Sequence, residues 1–77
     1  MKQCQWNVEL LRKVNGQYIT LEQRKVWEFD GECLDYNLWV GALKEFEKII
    51  QVGDLIKTCG NEVCYIRYND DGTGTVV

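Results

Sequence analysis

The stretch LDYNLWVGALKEFEKIIQ, residues 34–51, decides how this chain folds. At 100° per residue, Leu38, Trp39, Ala42, Leu43, Phe46, Ile49 and Ile50 fall within an arc of about 140°. Lys44, Glu45, Glu47 and Lys48 fall outside it. The pattern predicts one amphipathic helix, starting at Leu34 or Asp35 and reaching Gln51, with one face to bury. Asp30 or Asp35 is placed to cap its start, and Gly53 to end it.

On the N-terminal side, Trp6, Val8 and Leu10 alternate with Gln5, Asn7 and Glu9. Period two means a half-buried strand. Asn15-Gly16 follows, a pair that tolerates the positive φ angles of a tight hairpin turn. A second strand is predicted over 18–29, with Ile19, Leu21, Trp27 and Phe29 on one parity. Gln23 and Lys25 interrupt that face, so a bulge or overhang is expected near Arg24. A two-residue turn sets Leu10 opposite Leu21, which is favourable, and Glu9 opposite Glu22, which is not. The register therefore stays open by one residue.

On the C-terminal side, 54–58 reads as a third strand and 63–69 as a fourth, with a turn at Gly60-Asn61 or Asn61-Glu62. Asp71-Gly72 is a second hairpin signal. It folds 73–77 back as a short fifth strand, with Val77 near Ile66. The order is ββαββ plus a fifth strand. The expected fold class is α+β: a small antiparallel sheet with one amphipathic helix packed across one face. Residues 1–77 leave room for a single domain.

The chain has no histidine, serine or proline. A Ser-His-Asp triad, a Cys-His dyad and a His-ligated metal centre are therefore excluded within one chain. Nothing else in the sequence forms a catalytic set, so a non-enzymatic protein without a cofactor is expected. Nine basic residues face twelve acidic ones, for a net charge of -3. Arg12-Lys13 and Arg24-Lys25 are the only adjacent basic pairs, and they read as solvated strand ends. Nucleic-acid binders usually carry a basic stripe, which argues against that class. The first residues lack an apolar leader, and no run approaches the ~20 apolar residues of a membrane span. A cytoplasmic protein with mostly reduced cysteines is expected.

Four features carry candidate chemistry. Glu28, Asp30, Glu32 and Asp35 form an acidic row before the helix. Tyr36, Val40 and Glu47 sit on the helix flank away from its apolar arc. Together they make a surface for a partner, although a solvated loop complementing the helix dipole accounts for the acids equally well. Leu11, on the wrong parity for the first strand, adds to that surface. Tyr65, Arg67 and Tyr68 are the nearest approach to an aromatic and basic sheet face for a nucleic acid or nucleotide ligand. Cys59 and Cys64 bracket a turn. They suit a cross-strand disulfide, or a zinc site completed by Cys4 and Cys33. The plain alternative is free thiols packed as small hydrophobes.

The function expected from these features is binding. A small intracellular protein that blocks or modulates a larger protein partner comes first. An inhibitor of a bacterial defence system, encoded by a phage or mobile element, is one form of it. A nucleic-acid module on the sheet face is the second form, and a zinc-stabilised interaction domain the third. An exposed fifth strand also offers an edge for a homodimer.

Overall fold

The computed structural model of the chain describes residues 3–29, 36–59 and 63–77, with side chains described over 6–26, 38–59 and 63–77. The elements run β1 (Gln3–Val14), β2 (Gln17–Phe29), α1 (Tyr36–Phe46), β3 (Leu55–Cys59), β4 (Val63–Tyr68) and β5 (Gly74–Val76). Every strand pairing is antiparallel, and the sheet order is β2-β1-β3-β4-β5. One helix packs across one face of this sheet, which is the expected α+β architecture. Among the described residues no helix is long and apolar enough to cross a membrane.

The first hairpin turns at Asn15-Gly16, whose φ angles of 52° and 82° are those a tight type I′ turn needs. Val14 then pairs with Gln17. The register slips between Leu10 and Leu11: Leu10 faces Glu22 and Leu11 faces Thr20, leaving Leu21 as the extra residue. The bulge is therefore at Leu21, not near Arg24, and Leu10 lies opposite Glu22 rather than Leu21. Two effects favour the slip. Glu9 comes opposite Gln23 instead of Glu22, which removes a like-charge pair. Val26 comes opposite Trp6, and both side chains are buried. Ile19 lies on the turn side of the slip, opposite Arg12, and is 44% exposed. Trp27 and Phe29, expected in the core, have side chains outside the described ones.

The core joins Trp6, Val8, Leu10, Val26, Ile56 and Ile66 of the sheet to Leu38, Trp39, Ala42 and Phe46 of α1. Two glycines set how closely the layers meet. A Cβ on Gly41 would lie 2.8 Å from Val26 Cγ1, so the helix backbone rests directly on β2. A Cβ on Gly74 would lie 2.6 Å from Ile66 Cγ2 and 2.9 Å from Trp39 Cζ2. The indole of Trp39 thus reaches over β5, and its Nε1 points to the Gly72 carbonyl at 3.4 Å.

The helix stops at Phe46, five residues before the expected end. The amides of Ile49 and Ile50 both donate to the Phe46 carbonyl, at 2.9 and 2.8 Å, and the chain leaves the helix axis there. Arg12 then captures the departing segment. Its Nη2 donates to the Ile49 carbonyl at 2.6 Å and to Asp54 Oδ2 at 2.8 Å, while its Nε donates to Asp54 Oδ1 at 3.0 Å. Asp54 Oδ2 also accepts from the Gln51 amide at 2.9 Å. One buried carboxylate therefore ties β1, the loop after α1 and the start of β3. Its hydrogen bonds hold the Arg12 guanidinium above its ordinary pKa. Ile49, expected in the core, lies on this loop and is exposed. Gly53, at φ 94°, shapes the turn into β3 rather than the end of α1.

The last hairpin is shifted by one residue from the expected register. Val76, not Val77, lies opposite Ile66. The Asn69 amide donates to the Thr73 carbonyl at 2.9 Å, so the loop holds three residues, with Gly72 at φ 86°. That is the three-residue loop with a left-handed glycine. Asp71 Oδ1 accepts from Thr73 Oγ1 at 2.6 Å and from the Thr73 amide at 3.0 Å. These bonds, the hydroxyl first, hold the Asp71 carboxyl below its ordinary pKa.

Two substitutions test this account. Asp54→Asn removes the charge from a buried carboxylate that accepts three hydrogen bonds and should lower stability by about 2 kcal/mol. Gly74→Ala, ordinarily a mild change in a strand, should cost about 1–3 kcal/mol by forcing Trp39 off β5. Urea midpoints at fixed m-value measure both. A Gly74→Ala midpoint at or above that of the parent would mean that Trp39 does not rest on β5.

Candidate functional site: the uncovered sheet face

Side chains alternate along a strand, so each strand shows half of them to α1 and half to the other side. Fully buried Val8 between exposed Asn7 and half-buried Glu9 fixes the parity of β1. The registers carry that parity across the sheet. Read from β2 towards β5, the first row of the uncovered face is Lys25, Asn7, Cys59 and Val63. The second is Gln23, Glu9, Lys57 and Tyr65. The third is Thr20, Leu11, Leu55, Arg67 and Thr75. Tyr18 and Lys13 make the fourth.

This grid separates charge in a way the composition conceals. Among the described side chains, Lys13, Lys25, Lys57 and Arg67 lie on the face with one acid, Glu9. These five side chains sum to +3. The whole chain is at -3, so the remainder carries -6. Lys57 Nζ is 3.9 Å from Glu9 Oε2 and 6.0 Å from the Tyr65 ring centroid. The ion pair is half-exposed and long, so it neutralises little. Tyr65 and Tyr18 are both exposed. The apolar pair in the middle behaves differently. Leu11 and Leu55 face each other across β1 and β3, and Leu55 is only 8% exposed. Leu11 is therefore packed against its neighbour rather than offered to a partner.

Two hollows mark the ends of the face. One, of 460 Å³, is lined by Asn7, Glu9, Gln23, Lys25 and Cys59, with the backbone of β1 and β2 as its floor. The other, of 420 Å³, gathers Lys13, Tyr18 and Arg67 against the loop at Gln51 and Gly53.

The expected site residues are distributed as follows. Tyr65 and Arg67 lie together on the uncovered face. Tyr68 does not: it points to the helix side and packs against Trp39, ring centroids 6.4 Å apart. Neighbouring residues of a strand must face opposite ways, so Arg67 and Tyr68 never shared a surface. Val40 is half-buried on α1. Glu47 is exposed but lies beyond the end of the helix, in the following turn. Tyr36 begins α1, and Glu28 lies in β2 opposite Cys4. The side chains of these three residues are outside the described ones. Asp30, Glu32, Asp35 and Cys33 lie outside the described residues. Lys13, Tyr18, Lys25 and Lys57 join the site only through the registers, since nothing in their local sequence marks them.

Cys59 and Cys64 sit on adjacent strands but on opposite faces. Cys59 shares a row with Asn7, while Cys64 pairs with buried Thr58 on the helix side. Cys59 is a free thiol and Cys64 is disulfide-bonded, its partner being a sulfur other than that of Cys59. The candidate Cys59–Cys64 bridge is therefore not formed, and the alternative of a packed free thiol does not hold for Cys64. The two cannot converge on one zinc ion with Cys4 and Cys33. Among the described residues no group of Cys, Asp or Glu is placed to hold a metal.

The bridge predicts that alkylation without reductant labels two cysteines fewer than the four the sequence holds. Four labels by intact mass would mean that it is open in the purified protein. Comparison of the chain with family models, curated proteins and solved structures finds no match.

Proposed function

We propose that this chain is a non-enzymatic binding module that acts by covering part of a larger macromolecule, and that its working surface is the uncovered sheet face. The observation that supports this reading is the charge segregation: the described side chains of that face sum to +3 on a chain at -3. The half-buried Val40 and the truncated helix leave α1 with less free surface than its sequence promised.

A positive face selects a negative partner. A larger protein meets that requirement with an acidic patch, and its blockade or modulation is the protein-partner form of the proposal. An inhibitor carried by a phage or mobile element belongs to that form. A nucleic acid meets the requirement with its phosphates. Residence in the cytoplasm is part of the proposal, and there the Cys64 bridge is exposed to reduction by the thiol pool.

The test is capture from bacterial lysate, with and without nuclease, using two charge-reversed variants of unchanged circular dichroism. Lys13→Glu, Lys25→Glu, Lys57→Glu and Arg67→Glu together should abolish capture. Lys44→Glu with Lys48→Glu, exposed on the helix side, should leave it intact. The opposite pattern would move the working surface to the helix.

A further inference from the structure

We infer that the uncovered face binds a single-stranded nucleic acid along a diagonal track from Lys25 through Lys57 to Arg67. The inference rests on the reading of that face as the working surface, and it names the class of partner.

Lys25, Lys57 and Arg67 lie on β2, β3 and β4, each two residues further along the strand direction than the one before. With ~4.8 Å between strands and ~3.3 Å per residue, the Cα positions span roughly 20 Å, in steps of roughly 12 and 8 Å. The cations are therefore strung along a line, which suits an extended chain of negative charges. Tyr65 is exposed beside this line, next to Lys57 in its row and two residues from Arg67 along β4. An exposed ring beside cations is what an unstacked base needs, because every base offers a π face.

Both ends of the track open into the hollows already described. At the Lys25 end the hollow presents the side-chain amides of Asn7 and Gln23, which can donate to and accept from base edges. At the Arg67 end it presents Lys13 and Tyr18. Each hollow thus sets cations beside a hydrogen-bonding or aromatic group, and each also holds one carboxylate, Glu9 in the first and the Arg12-paired Asp54 in the second.

Two observations favour a nucleic acid over an acidic protein. A protein interface needs an apolar centre, with charge held to its rim. Here the central leucines are already packed, Leu55 being 8% exposed, and the charge sits in the middle at Lys57. Among the described residues the acids lie off the track apart from Glu9, a local acceptor beside Lys57, and Asp54, which lines the hollow at the Arg67 end and is paired with Arg12. A duplex is disfavoured because its bases are stacked away from Tyr65.

The probe is a fluorescein-labelled oligothymidylate of about 12 nucleotides, read by fluorescence anisotropy at low salt, since small sheet-based binders cover roughly 4–16 nucleotides. Three phosphate contacts on a single strand predict a slope of about -2 for log K against log salt. Tyr65→Ala should weaken binding roughly tenfold. Lys57→Glu with Arg67→Glu should abolish it, and Lys44→Glu with Lys48→Glu should leave it unchanged. Absence of binding to the oligonucleotide at low salt overturns the inference. So does equal binding to a duplex of the same length, or equal loss in the helix-side variant. If the oligonucleotide is not bound while face reversal still abolishes nuclease-resistant capture of a protein, the single-strand inference fails and the sheet-face reading stands. If neither is seen, both fail.

Discussion

Eleven helical residues have to cover one face of a five-stranded sheet, and the mismatch in size shapes most of the molecule. A helix of that length is about 16 Å long, and five strands span about 19 Å. Full coverage would need a longer or a second helix. The chain extends the helix sideways instead. Trp39 carries its indole over Gly74 on β5, and Gly41 lets the helix backbone rest on Val26 of β2. Where α1 ends, a charged hub takes over: Arg12 and Asp54 bind the loop that a longer helix would have occupied. The covered face is not wholly dry of polarity. Trp6 Nε1 and Thr58 Oγ1 are buried without a hydrogen-bond partner among the described residues. Each such group costs about 1–3 kcal/mol, which the surrounding aromatic burial must exceed.

The elements were legible because local pattern and burial agree in them. Trp6, Val8 and Leu10 alternate in sequence and are buried in the structure. Leu38, Ala42 and Phe46 fall on one helical stripe and form the helix side of the core. What local pattern could not place were the events that depend on partners far along the chain. The bulge at Leu21 is chosen by Val26 meeting Trp6, about five residues away. The end of α1 is chosen by Arg12 and Asp54, while the sequence after Phe46 carries on an amphipathic pattern as far as Gln51. The one-residue shift of β5 follows from Gly72 serving as a third loop residue, where a two-residue turn had been read.

The candidate site was less legible than the fold, for a different reason. A surface is a property of registers, and a register error of one residue exchanges its members for those of the opposite face. Arg67 and Tyr68 were separable by alternation alone. Lys25 and Lys57 were not, since β2 reaches the right parity only after the bulge, and β3 only through its pairing with β1. The overall acidity hides the result further. Twelve acids against nine cations describe an ordinary acidic protein, and only the grid shows that four of those cations share one side.

The same alternation makes the two faces largely independent, and this bears on how such a small domain can carry a binding surface at all. Changing Lys25, Lys57 or Arg67 leaves Val8, Ile56 and Ile66 in their places, because the residues of the proposed surface are not the residues that meet the helix. The exceptions are Leu11 and Leu55. They lie on the binding side yet are packed against each other, so they stiffen the middle of the sheet between the two hollows. A domain with one covering helix has no second layer to brace its outer face. The leucine pair between neighbouring strands β1 and β3, Leu55 buried and Leu11 half-buried, supplies that brace without adding a layer.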